Sequence, residues 1–487
     1  MGLQKIAAVL FLCLWSLVTM AQVTFPRNGV YDEQEGHYAF TNATIYVTPE
    51  KKLEKATLLI KKGKIVAVGT GLKIPADAVT VDLKGKYIYP SFIELSSNYG
   101  LPKPVGTKRK SSAPQMLSNK EGAYSWNEGL KPEQDATGLF TVDGKSAKVL
   151  RELGFGTALT HQMDGLARGT SALVLLGEEP EHDMILKGQA SAHWSFSKGT
   201  SKQNYPSSRM GAIALLRQTY YDGIWYAKRE KGESYNISLE KWNKIQDVPQ
   251  FFELSNRLDL LRADKLGDEF GVQYIFRGGG DEFLRLDAIK KTNAALVIPM
   301  HFPKAYDVSD PYDAEEVSLT QMKYWELAPT NPARLAAAEI PFAITSRLNK
   351  DKKDFWKQVR KAYQHGLSEK DLLKALTTTP AKLIKAEQLV GTLEKDKLAN
   401  LQVTQADTRE LQEQAEQATN AGEFDKAQAL IDQIITAEEA VGLKALEQIN
   451  VPRKAFKNSQ EDKAQAGLEA GDIMLEQLQD AWMLLEQ

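Results

Sequence analysis

The sequence predicts an α/β protein: a (β/α) barrel, with a small β-sandwich before it and a helical tail after it. Three observations carry this. Residues 38–95 alternate apolar and polar positions with period two, in short runs broken by Gly-containing turns. Between Phe155 and Thr377, strand-like apolar runs alternate with helical patterns, the signature of a wound parallel sheet. After Asn400, proline and aromatic residues nearly vanish, and apolar residues fall at three- and four-residue spacing. A chain of 487 residues holds two or three domains at about 150 residues each.

The elements follow in order. Lys5 and the apolar run Ile6–Met20 read as a secretory leader, 1–21, with Thr19 and Ala21 before a cut at Gln22. The run is short for a membrane span of ~20 residues, so cleavage is expected over an uncleaved anchor. This implies export to the periplasm or the exterior and no span in the mature chain. Cys13, the single cysteine, leaves with the leader, so disulfides and thiolate metal sites are excluded. Strands are expected at Ala39–Val47, Ala56–Ile60, Ile65–Val68 and Val79–Leu83. They give an N-terminal β-sandwich part over 22–88, which 390–404 could complete. Tyr87–Leu95 is almost wholly apolar and fits one strand buried on both faces, opening a barrel over 89–386.

Within the barrel, Phe155–His161, Ser171–Leu176, Gln250–Leu254, Val272–Phe276, Ala295–Pro299 and Pro341–Thr345 read as strands. Helices are expected at Met210–Arg229, Glu282–Lys291, Asn331–Glu339, Phe355–His365 and Glu369–Thr377, and around Pro249 within Leu239–Lys265. The tail, 405–487, carries an apolar stripe from Leu411 to Ile434, broken by Asn420-Ala421-Gly422. It reads as a coiled-coil-like hairpin, a packing element through which the chain could self-associate or meet a protein partner.

Lys plus Arg number 61 against 63 Asp plus Glu, a net charge of −2, which argues against a dedicated nucleic-acid binder. With 43% hydrophobic and 25% charged residues, the composition excludes a disordered or multi-span membrane chain. Only six histidines exist. His37 and His365 read as structural, and His182 and His193 flank Gly188 in a loop-rich stretch. His161 ends a strand and could face a site mouth, and His301 follows another strand. With Glu253 these two would form a conceivable site, although singly placed histidines are more often structural. Gly278-Gly279-Gly280 reads as a tight strand-to-helix turn, with anion binding at the helix start as the alternative. Lys103, Lys108, Arg109 and Lys110 make a basic loop after the first barrel strand, either a solvated loop or a lid for acidic ligands.

Three segments carry a family resemblance. Asn42-Ala43-Thr44-Ile45, Leu58–Gly69 and Val81–Pro90 resemble the opening of the amidohydrolase superfamily. Ala375-Leu376-Thr377-Thr378-Thr379-Pro380-Ala381-Lys382 and Val390–Leu401 resemble its ending, the imidazolonepropionase-like subgroup being the most similar. The resemblance implies a (β/α)8 TIM-like barrel with a β-sandwich and ancestry among hydrolases of amide-type C–N bonds. It also implies a metal, often zinc, held by a His-x-His pair, two further histidines and an aspartate. Here Ser96 and Asn98 stand at the pair, Glu253 at the next position, and Arg347 near the aspartate position. Glu94 matches the acid before the pair. The ligands are therefore expected to be lost, with no cofactor or metal retained. Two functions stay open: a hydrolase with an unconventional site around Ser96, Asn98, His161, Glu253, His301 and Arg347, or an inactive barrel. The inactive barrel would bind a small molecule, a peptide or a partner, a second, active unit among them.

Overall fold

The computed structural model describes residues 36–106, 118, 120–230, 234–349, 351, 354–405 and 448–449. The expected leader, most of the basic loop and nearly all of the expected tail lie outside the described residues. Among the described residues no helix is long and apolar enough to cross a membrane.

The first strands are β1 (His37–Thr48), β2 (Lys51–Lys61), β3 (Lys64–Gly69), β4 (Ala78–Asp82) and β5 (Lys86–Pro90). β1, β2 and β3 form an antiparallel meander. Lys62 and Gly63 both take left-handed φ values, 52° and 71°, which match the strand twist in a two-residue turn. β4 lies parallel to the first half of β1 and β5 to its second half. The chain returns much later as β16 (Leu401–Gln405), antiparallel to β5, and β17 (Gln448–Ile449) pairs with β16. Hydrogen bonding thus joins these strands in one seven-stranded sheet. Phe40, Ile45, Leu58, Ile65, Ile88 and Leu401 form its buried cluster.

The expected single strand Tyr87–Leu95 is divided. β5 ends at Pro90, and β6 (Phe92–Ser97) belongs to another sheet. The handover is visible in the backbone: Ser91 N donates to Asn400 O, whereas Phe92 N donates to Gly154 O. Proline has no N–H for a ladder, so the pairing changes partner beside it.

The remaining strands are β7 (Phe155–Thr160), β8 (Ala167–Thr170), β9 (Ala172–Leu175), β10 (Ile185–Lys187), β11 (Ala192–Ser195), β12 (Gln250–Glu253), β13 (Tyr274–Arg277), β14 (Leu296–Pro299) and β15 (Phe342–Thr345). They make two sheets, ordered β10-β9-β7-β6 and β15-β14-β13-β12-β11-β8. β6 and β7 are parallel, as are β11 through β15. The sequence missed β8, β10 and β11, and His193 lies on buried β11, not in a loop. Only Ser171 separates β8 from β9, and they run antiparallel to β11 and β7 respectively. One length of chain therefore ties the two sheets together.

Helices intervene as expected, including Arg209–Ala227, Arg257–Phe270, Asn331–Ala337 and Asp354–Gln364. Ser208 caps the first, its side chain accepting from Gly211 N at 3.1 Å. The segment expected to be one helix from Glu282 is a 3-10 turn, Glu282–Arg285, followed by a helix, Leu286–Lys290. Apolar residues between strands and helices form one large cluster, and Ile93, Leu95, Leu159, Leu173, Phe251, Val297 and Ala343 form a second among the strands.

β15 meets β6 through a side chain. Glu94, 1% exposed, accepts from Ser96 N on its own strand, and from Thr345 Oγ1, Ser346 N and Ser346 Oγ at the end of β15. Replacing it would remove a shared acceptor from these buried donors. Glu94→Ala is expected to cost about 3 kcal/mol in urea unfolding. A loss below about 1 kcal/mol would show that backbone packing alone holds the joint.

Candidate functional site

The period-two alternation of strands builds the site in layers. Phe251, Ile275 and Val297 belong to the apolar cluster among the strands. Two residues beyond Phe251 and Ile275 stand Glu253 and Arg277, the last residues of β12 and β13 and direct partners in register. Adjacent parallel strands project paired side chains to one face, so carboxylate and guanidinium meet there. Arg277 Nη2 lies 2.6 Å from Glu253 Oε1. The other oxygen, Oε2, accepts from Arg168 Nη1 at 2.7 Å. Arg168 sits near the start of antiparallel β8, the same end of the sheet, and its Nε donates to Gly165 O at 3.1 Å. The next residue, Gly169, has φ 74°, and a Cβ there would strike the Gln134 carbonyl, so glycine is required beside Arg168.

Arg347 follows β15 and completes the group. Its Nε is buried without a hydrogen-bond partner, as is that of Arg277. Burial lowers the pKa of Arg347, Glu253 raises it, and Arg277 and Arg168 lower it further, so these charges share one neighbourhood. Three guanidiniums thus face two carboxylates, Glu253 and Glu94, an excess of one positive charge. Burial opposes ionisation of Glu253, but Arg168 and Arg277 outweigh it and hold the carboxyl at about 2.

Beside them two imidazoles stack. His161, just past β7, and His193 of β11 have ring centroids 3.6 Å apart and planes 12° apart. His193 stacks in turn on Phe251, and its Nε2 is 2.9 Å from Ser191 Oγ. His161 Nδ1 is buried without a partner. Burial, reinforced by Arg168, drives His193 down to about 3. His161 is lowered well below the ordinary range by burial, then by His193, Arg168, Arg347 and Arg277. Both rings are neutral at neutral pH.

Of the residues singled out from sequence, His161, Glu253 and Arg347 are brought together. Ser96 is buried on β6, where its N–H serves Glu94. Asn98 is exposed, as is His301, whose Nδ1 is 3.4 Å from Asn349 Oδ1. Among the described residues His161, Glu253 and His301 are not placed to hold a metal ion together. Gly278-Gly279-Gly280 is filled by the chain itself: Gly280 N donates to Glu282 Oε1 at 3.0 Å, so the turn presents no free anion cradle. Sequence reasoning missed Arg168 and His193, because their strands, Ala-Arg-Gly-Thr and Ala-His-Trp-Ser, lack the continuous apolar run that marks a buried strand. Arg277, one residue past the expected strand Val272–Phe276, was not singled out. Among the described residues no three His, Cys, Asp or Glu side chains are placed to hold a metal ion.

The two histidines set the acid response. An unfolded histidine protonates near pH 6.5, about three and a half units above folded His193. Stability from its neutral burial is complete above about pH 6.5 and falls by about 1.4 kcal/mol per unit towards pH 3, with His161 acting in the same direction. Glu253 adds its loss only from about pH 4.5 down to 2. Urea midpoints measured between about pH 7 and pH 5 are expected to drop in wild type and to drop less in His193→Phe. An equal drop in both would show that His193 does not titrate in this way.

No protein-family model matches the chain, and no curated protein matches it. Solved structures do. An amidohydrolase from Thermotoga maritima MSB8 superposes with a TM-score of 0.58 at 20% identity, over 75% of this chain and 93% of that one. A prolidase complexed with N-methylphosphonate-L-proline gives 0.42 at 14% identity, over 77% and 94%. Molinate hydrolase gives 0.42 at 11%, over 77% and 90%. The chain thus shares a mixed α/β fold with the Thermotoga amidohydrolase over three quarters of its length.

Proposed function

We propose that this chain is an amidohydrolase-superfamily (β/α)8 barrel, of imidazolonepropionase-like ancestry, in which an arginine site replaces the metal and binds a ligand without hydrolysing it. One observation carries the reading: the strand ends present Arg168, Arg277 and Arg347 around a single Glu253. A divalent ion does not fit there. An excess positive charge in a poorly solvated site repels a dication, and the two arginines already occupy both oxygens of Glu253. Ser96 and Asn98 offer a hydroxyl and an amide where imidazoles would be needed.

Hydrolysis of an amide-type bond, the activity that ancestry suggests, requires a group to take a proton from water. Neither histidine suits this. Both are buried, and their bases are so weakened that His193 gains a proton only at about 3. Glu253, at about 2, is weaker still. The apolar run Ile6–Met20 supports a further part of the proposal, that the chain is exported and serves there beside an active unit.

Elemental analysis of the dialysed protein tests the reading. Zinc far below one ion per chain is expected, together with no hydrolysis of amide substrates after zinc is supplied. Near one ion per chain, removable by chelator along with activity, would overturn it.

A further inference from the structure

We propose that the strand-end site takes the carboxylate of a small monoanionic organic acid, seated on Arg347 beside Arg277. This rests on the metal-free reading above and deepens it by naming the ligand class. Charge gives the first argument. Arg168, Arg277 and Arg347 face Glu253 and Glu94, three positive charges against two negative, while both histidines are neutral. Arg347, half-buried, is the cation of the three with no ion-pair partner among the described residues, so one negative charge completes the balance. A monocarboxylate supplies it. A phosphate monoester, at about −1.5 to −2, would overshoot.

Unfilled donors give the second argument. Arg277 Nε and Arg347 Nε are both buried without partners. A guanidinium presents its donors as a planar fork, and a carboxylate is the flat acceptor that fits it. The site already shows this chemistry, because Glu253 is held by one arginine on each oxygen. Arg347 forms no such pair with Glu253. His161 Nδ1, also unpartnered, adds a neutral hydrogen-bonding atom for a polar group on the acid. An apolar floor including Phe251 lies below, so the carboxylate would be held against poorly solvated surroundings in which charge-assisted bonds are strong.

Calorimetric titration and thermal-shift measurement on the purified full chain test this, with acetate, lactate and N-acetylglycine as carboxylate probes. N-acetylglycinamide serves as the neutral control and inorganic phosphate as the competing oxyanion. Carboxylates are expected to bind and to raise the melting temperature, the amide to have no effect, and phosphate to bind less tightly than the best carboxylate. Arg347→Met should weaken carboxylate binding by about tenfold or more, with Arg347→Lys between it and wild type. Ligand-free Arg347→Met should be no less stable than wild type, since the change removes a half-buried charge that has no ion-pair partner among the described residues. A merely structural Arg347 would give the opposite result. Glu253→Gln, which removes the internal carboxylate, should tighten binding. Failure of every carboxylate to bind zinc-free wild type would overturn this proposal and leave the metal-free reading standing. Tighter binding of phosphate would overturn the choice of a monoanion. Stoichiometric zinc would overturn both.

Discussion

The Glu253 carboxylate, held by Arg168 on one oxygen and Arg277 on the other, is the interaction around which the strand ends are organised. Charged groups leave water only when each finds a partner. This pairing lets three strands carry charge into the interior: β12 brings the acid, β13 and antiparallel β8 the bases. It also fixes what the neighbours can be. Burial first, and the neighbouring arginines second, keep the two histidines neutral, and neutral rings can stack at 3.6 Å where two imidazolium ions would repel.

Glu94 performs a different task with the same chemistry. Its carboxylate accepts bonds from β6 itself and from the end of β15, and so joins two strands from different sheets. Ser171 links the other side, where the chain passes from β8 to β9 and from one sheet to the other. Thr345 and Ser346 are bound to Glu94, which sets where the backbone leaves β15 and hence where Arg347 begins. Joint and site are in this way coupled by two residues of chain.

Much of the strand and helix order was legible because it rests on local pattern. Period-two runs located β1 to β4, and long apolar runs located β7, β12, β14 and β15 to within a residue or two. The misses have local causes too. Pro90 split a run that looked continuous, and β8 and β11 interrupt their apolar residues with Arg168, Gly169 and His193. Arg168 and His193 lie on those strands, so the residues hardest to place were those that complete the site.

The sequence by itself determined the α/β class, the order of strands and helices, the small number of histidines and the substitution of Ser96, Asn98 and Arg347 at the positions implied by resemblance. These depend on residue identity and spacing along the chain. Only the tertiary structure decided that Arg168, Glu253, Arg277 and Arg347 share one neighbourhood, that His161 stacks on His193, and that His301 and Asn98 lie apart at the surface. Arg168 and Arg347 are far apart in sequence, and no local periodicity encodes their meeting. Sheet pairing does: β12 and β13 set Glu253 opposite Arg277, antiparallel β8 brings its start to the same end, and Glu94 holds the residues that lead from β15 to Arg347.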